Sequence, residues 1–193
     1  MQESRASVVA IVAERGAGKS TFVTIVKDFL RHKKVESVKY SDPLRQILTI
    51  LNKQITREHL STLITALRSA FGDEGILTDA IRQHIQRLDA DVILIDGVRK
   101  AEEVPLIREL KGALVYITAD RQTRFERRRA DRENIDEFGM SWETFMKLDQ
   151  LAPEVTIRQI GETMADVTID NSGTVEEFKS SVDSFIQNHS LNG

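Results

Sequence analysis

The chain has 193 residues, 40% hydrophobic and 30% charged, with a formal net charge of −3; that suits one domain with a buried core and room for a small lid or insertion. Such a charge gives no global basis for nucleic-acid or membrane binding, and the absence of cysteine excludes disulfides, thiolate catalysis and cysteine-held zinc. The four histidines are scattered without metal-ligand spacing, no apolar run approaches about 18 residues, and the opening MQESRAS is no signal peptide. The expectation is a cytoplasmic protein.

SVVAIVA (7–13) is a nearly unbroken apolar run, the pattern of a strand buried on both faces. Phe22, Ile25, Val26, Phe29 and Leu30 then recur at helical spacing, and VESVKYS (35–41) predicts a second, less apolar strand. After Pro43, Leu44, Ile47, Leu48 and Leu51 form one helical face, Leu60, Leu63, Ile64 and Leu67 another, and Leu77, Ile81, Ile85 and Leu88 a third. DVILID (91–96) predicts a buried strand, and ALVYIT (113–118) another after Val104, Ile107 and Leu110. A charged helical stretch and a Trp142, Phe145, Met146 face lead to a short final strand, DVTID (166–170). The last helix opens with a capping box, Thr174 to Glu177, and presents Val175, Phe178, Val182 and Phe185. Five strands separated by helices imply an α/β fold with a parallel sheet covered on both faces. Right-handed crossovers limit its topologies without setting the strand order.

GAGKST (16–21) falls between the first strand and the first helix, the context a phosphate-binding loop requires. Gly16, Ala17 and Gly18 let backbone N–H groups turn inward around phosphate oxygens. The helix that follows, through Lys19, Ser20 and Thr21, offers its positive end. Lys19 can reach the β- and γ-phosphates, and the Ser20 hydroxyl can hold Mg²⁺. Ala13 stands where the G-x-x-x-x-G-K-[ST] pattern has its first glycine; alanine suffices if the backbone there is ordinary and its methyl meets no neighbour. A glycine-rich turn with an exposed lysine would read similarly, but motif and context agree on phosphate.

VILIDGVR ends a buried strand with Asp96, Gly97 and Arg99, at the end where parallel sheets form their ligand crevice. Asp96 is therefore a candidate Mg²⁺ carboxylate beside Ser20, Gly97 leaves room for a substrate, and Arg99 can fork onto a phosphate. Helix capping by Asp96 and a solvated Arg99 are the plainer alternatives. In SDPLR (41–45), Asp42 is a natural N-cap before Pro43, and also a candidate base or phosphate orienter beside Arg45. TADRQTRFERRRADR (118–132) surrounds Phe125 with Arg121, Arg124, Arg127, Arg128, Arg129 and Arg132. A solvated helix, a nucleic-acid patch and a lid closing over phosphates all fit. Asp131, Glu133, Asp136 and Glu137 argue against the second, and the adjacent phosphate loop favours the third.

Together, AERGAGKST, DVILIDGVRKAEEV, TRFERRRADR, SWETFMKLDQ and ADVTIDNSGTVEEF resemble the P-loop small-molecule kinases. The nearest branch holds nucleoside monophosphate kinases, dephospho-CoA kinase and uncharacterised adenylate-kinase-related proteins, and the likeness covers nearly the whole chain. It implies a three-layer P-loop fold with strand order 2-3-1-4-5. The core would be residues 1–41, 91–120 and 150–193, the helical acceptor-binding region about 42–90, and the arginine-rich lid about 121–140. It implies transfer of the γ-phosphoryl group from ATP·Mg²⁺ to a small phosphorylated acceptor, a nucleoside or deoxynucleoside monophosphate. Arg45, Arg68 and Arg99 become candidates for the acceptor phosphate, and Arg124, Arg128 and Arg132 for the donor and the transferring group. The Asn171-x-Gly173 turn becomes a candidate for holding adenine; Asn171 alone would read as a turn residue. No nucleic-acid or membrane partner is implied, and the chain would be a monomer or homodimer. Phosphorylation of a hydroxyl, as in dephospho-CoA kinase, and a nucleotide-dependent regulatory ATPase are the alternatives. No N-K-x-D motif supports a guanine-specific switch.

Overall fold

The computed structural model of the chain describes residues 6–73, 75–131, 139–189 and 191. Its centre is a five-stranded sheet in the order β2-β3-β1-β4-β5, parallel throughout. The strands are β1 (Ser7–Ala13), β2 (Val35–Lys39), β3 (Val92–Asp96), β4 (Ala113–Thr118) and β5 (Val167–Asp170). The helices are α1 (Lys19–Phe29), α2 (Asp42–Ile50), α3 (Arg57–Phe71), α4 (Ile76–Arg87), α5 (Val104–Glu109), α6 (Arg121–Ala130), α7 (Trp142–Asp149), α8 (Ala152–Met164) and α9 (Val175–Asn188). Strand order and sheet are those the resemblance implies.

Alternation along β1 separates two cores. Val8, Ala10 and Val12 point to one face with Ile93, Ile95, Leu114 and Tyr116, beneath Ile81 and Ile85 of α4, Leu106 and Ile107 of α5, and Ile157 and Ile160 of α8. Val9 and Ile11 point to the other with Leu94, Val115 and Ile117, beneath Phe22 and Val26 of α1 and Phe178, Val182 and Phe185 of α9. Apolar residues on both faces explain the unbroken runs of the central strands. Ile11 pairs with Asp96 on one side and Val115 on the other, so the C-terminal ends of β1, β3 and β4 open side by side. The phosphate loop and Asp96 thereby meet at one rim. Among the described residues no helix is long and apolar enough to cross a membrane.

Two local expectations change. The second strand ends at Lys39, and the N-cap of α2 is Ser41, with Asp42 already helical. A further helix lies between the Trp142 face and the last strand: α7 ends at Asp149 and α8 begins at Ala152, with Pro153 in its first turn. A proline is tolerated there and cannot sit inside a continuous helix. Phe125, Met140 and Phe145 make a small separate cluster, with Phe125 edge-on to Trp142 at 5.2 Å. This packs the arginine-rich helix α6 onto α7.

Candidate active site

Ala13 closes β1 in register with Ile117, and positive φ is confined to Asn52 and Lys111 among the described non-glycine residues. Strand geometry therefore makes alanine sufficient at the first glycine position. The loop turns at Gly16 (φ 82°) and Gly18 (φ 101°), and α1 starts at Lys19. Gly18 is doubly constrained. Its backbone is left-handed, and a Cβ there would collide with the Asn171 side-chain nitrogen. Asn171 is buried, and its Nδ2 donates to the Ala17 carbonyl at 2.8 Å, while its backbone N–H donates to the Thr118 carbonyl at 2.8 Å. Gly18→Ala is therefore expected to cost about 1–3 kcal/mol of stability through backbone strain and to lose ATP binding; calorimetric titration with ATP alongside a thermal melt checks both.

Two hollows meet at this loop. A cavity of about 520 Å³, on the side where the resemblance puts the phosphate donor and called the donor cavity for that reason, is lined by Ala13 to Gly16, Gly18 to Thr21, Arg99, Arg127, Arg128, Asp131, Glu154 and Ile157. A second, of about 310 Å³, is lined by Lys19, Lys39, Tyr40, Ser41, Leu44, Arg45, Leu77, Asp96, Gly97, Arg99 and Glu103. Lys19 and Arg99 line both. The second continues past Tyr40, Leu77 and Glu103 into a hollow of about 460 Å³ that Arg68 also lines. Lys19 Nζ lies 2.5 Å from Asp96 Oδ1, a largely buried oxygen. Gly97 (φ 87°) turns the chain away after β3, and a Cβ there would meet Lys19 Nζ at 4.0 Å. Glu103 Oε2 accepts from the Arg99 and Lys100 backbone N–H groups at 2.8 and 3.2 Å, which shapes the loop carrying Arg99. Burial pushes the Glu103 carboxyl up, and those two donors work against it.

Ser20 and Asp96 offer hard oxygen ligands, and the Asp96 oxygen that Lys19 now pairs is a coordination position. No group of three or more acidic or histidine side chains gathers there among the described residues. That pair suits Mg²⁺, which keeps several waters and takes further oxygens from substrate phosphates. Such an ion would neutralise charge on those phosphates.

A UPF0200 protein of Saccharolobus islandicus is 31% identical over 182 residues, spanning 89% of this chain and 88% of its own. The chain belongs to the UPF0200 family. A more distant UPF0200 protein, from Hyperthermus butylicus, is 25% identical over 173 residues and 89% of each chain. No protein-family model matches. Among solved structures, a shikimate kinase from Bacteroides thetaiotaomicron superposes with a TM-score of 0.59 at 14% identity, over 94% of this chain and 97% of that one. A gluconokinase from Sinorhizobium meliloti gives 0.54 at 12% identity, over 100% and 99%. At such identities these likenesses establish the fold, which is that of the P-loop kinases.

In this UPF0200 chain several expected site residues stand elsewhere. Arg124 does not line the donor cavity: it is 1% exposed, ion-paired with Glu14 and Asp149. Asn171 braces the phosphate loop and does not line either hollow. Gly173 sits over the α9 capping box, where Thr174 N–H donates to Glu177 at 2.8 Å. Asp42 does not line the second cavity, and its Oδ2 accepts from Lys39 N–H at 2.7 Å. Arg45 reaches the second cavity, its Nε donating to Ser41 Oγ at 3.1 Å. Arg128 lines the donor cavity and is 3.1 Å from Asp131; Arg132 lies outside the described residues.

The residues not anticipated are Arg15 and four charged groups beneath the loop, Glu14, Asp149, Glu154 and Arg158; Arg127, one of the arginines of the expected lid, lines the cavity. Arg127 lines the donor cavity with Nη1 buried and without a hydrogen bond, its Nη2 3.4 Å from Asn171 Oδ1. Arg15 pairs with the buried Glu154 of α8 at 3.3 Å. Glu14, Asp149 and Glu154 are each about nine-tenths buried or more. Burial pushes the Asp149 carboxyl up, but Arg124, with Arg158 and Arg121, outweighs it and holds it below the ordinary value. The signal available in the sequence was Glu14 itself: a carboxylate inside a phosphate loop repels phosphate unless cations neutralise it.

Proposed function

We propose that the chain is an ATP-dependent kinase that transfers the γ-phosphoryl group to a nucleoside or deoxynucleoside monophosphate. The observation that carries the reading is the meeting of two hollows at Lys19 and Arg99, one beneath the phosphate loop and one at the end of β3. Transfer between two bound phosphates requires that junction. The donor's phosphates would lie over Gly16 to Ser20, with Arg127 and Arg128 of α6 facing them. The acceptor's phosphate would lie against Lys39, Arg45 and Arg99, and its nucleoside body would extend past Tyr40 and Leu77 toward Arg68. In this reading residues 42–90 form the acceptor region, and α6 with the segment after it forms the lid.

The chemistry is positioning and charge neutralisation. Lys19 would neutralise the charge that builds on the β,γ-bridging oxygen and on the transferring group as the bond to ADP breaks. Ser20 and Asp96 would hold Mg²⁺ on the donor, and Arg99 spans donor and acceptor. The second hollow carries Lys19, Lys39, Arg45 and Arg99 against Asp96 and Glu103, a balance that suits an anionic acceptor. A phosphate monoester loses its second proton with a pKa of about 6, so its oxygen is already a nucleophile at neutral pH and needs no base.

A hydroxyl acceptor would need such a base, and Asp42 points to the Lys39 N–H instead. Asp42→Asn should therefore keep turnover within about threefold of wild type; a loss near the lower bound for general-base removal, about 10²-fold, would favour the hydroxyl reading. A coupled ADP-release screen over AMP, CMP, GMP, UMP, dTMP and dephospho-CoA tests the assignment. Acceptor-dependent release with one monophosphate is expected. Equal, slow release with every compound would point to a regulatory ATPase.

A further inference from the structure

Four charges close a ring beneath the donor cavity. Arg124 Nη2 lies 3.3 Å from Glu14 Oε1, and its Nη1 lies 2.7 Å from Asp149 Oδ1. Arg158 completes the circuit, Nε 2.9 Å from the same Glu14 oxygen and Nη2 3.0 Å from Asp149 Oδ2. Each member belongs to a different element: Glu14 to the phosphate loop, Arg124 to α6, Asp149 to the end of α7, Arg158 to α8. The remaining valences are committed as well. Arg124 Nε donates to the Ala119 carbonyl at 3.0 Å, and the Thr118 hydroxyl donates to Glu14 Oε2 at 2.5 Å. The Arg124 guanidinium also lies 5.6 Å from the centre of the Phe145 ring. Arg121 touches Asp149 from the outside at 3.3 Å.

Such a ring is poorly explained by stability alone. Desolvating charges consumes most of what their attraction returns, and packed apolar side chains often serve as well. What the ring supplies is geometry, because a planar guanidinium fork meets two carboxylates in few arrangements. The elements it joins are those that must be aligned. Arg127 and Arg128, three and four residues beyond Arg124 on α6, line the donor cavity. The α6 backbone also rides on the loop itself: a Cβ at Gly16 would stand 2.8 Å from the Arg124 carbonyl oxygen.

We propose that Arg124 is a positioning residue for phosphoryl transfer, fixing α6 against the phosphate loop through Glu14 and Asp149 so that Arg127 and Arg128 face the donor phosphates. This rests on the phosphotransferase reading. It gives Arg124 a role other than direct phosphate contact, in keeping with its near-complete burial and its absence from the cavity wall.

Arg124→Lys keeps the charge and loses the fork. The full-length variant and wild type are compared by ADP titration calorimetry, by thermal melting, and by steady-state kinetics on the monophosphate giving the highest wild-type rate. ADP affinity is expected to stay within about threefold, because the loop glycines and Lys19 are untouched, while kcat falls about 10²-fold, as for a displacement near 1 Å, with little change in acceptor KM. If Arg124→Lys does not fold, Arg158→Gln at the ring's partly exposed corner carries the same test. A folded variant with wild-type kcat overturns the proposal. So does a fall in ADP affinity as large as the fall in kcat, because the arginines of α6 would then be holding the bound nucleotide rather than being aligned for transfer. A wild-type chain that phosphorylates no acceptor brings down the underlying reading and the proposal with it. An active wild type beside an equally active variant brings down the proposal alone.

Discussion

On the proposed reading, Lys19→Met is expected to lower acceptor-dependent turnover by at least about 10²–10³-fold, the scale for removing one preorganised charge-stabilising donor. Lys19 opens α1, directly after the two left-handed glycines. Its ammonium rests on Asp96 and lines both hollows. Methionine keeps the length and the apolar stem and removes only the charge. The helix N-terminus and loop N–H groups persist, so ATP should still bind, more weakly, while transfer fails. Because the Lys19 side chain is 35% exposed, the fold should survive. Steady-state kinetics with a thermal melt on the same sample separates lost chemistry from lost structure. Near-wild-type turnover in Lys19→Met would remove the donor site from the account.

Arg99→Met should cut kcat/KM for the acceptor by a comparable factor, about 10²-fold, and Arg99→Lys should restore only part of it. Arg99 shares with Lys19 the distinction of lining both hollows, and its loop is shaped by Glu103. A lysine keeps the charge without the planar fork that spans two phosphates. The signature is a raised acceptor KM together with a lowered kcat, with ATP affinity much less affected. Full activity of Arg99→Met would mean that the two hollows do not serve one reaction.

The parts of this site legible in the sequence share a physical cause. Strands buried on both faces, a glycine-bounded loop and a carboxylate at a strand end are local patterns, and SVVAIVA, GAGKS and VILIDG each carry one. Arg124 is the opposite case. Within TRFERRRADR nothing local distinguishes it from its neighbours. Its burial is set by Glu14 and Asp149, distant in sequence and brought beside it by the sheet order and by the turn between α7 and α8. Asn171 was found as a residue of consequence, but its partner, the Ala17 carbonyl, emerges only when β5 lies beside β4. Asp42 was ambiguous because a helix start and a crevice rim coincide there, and the Lys39 N–H claims its carboxylate. The break before α8 was readable from Pro153, since proline marks a first turn far more often than a helix interior.

The measurement that tests the central claim most directly follows the phosphorus itself. ATP labelled with ³²P at the γ position is incubated with Mg²⁺, the full chain and each nucleoside monophosphate, and the products are separated. Label in one nucleoside diphosphate, in amounts equal to the ATP consumed and missing with Lys19→Met, is the predicted result. Label found only as inorganic phosphate, at a rate indifferent to every acceptor, would contradict it.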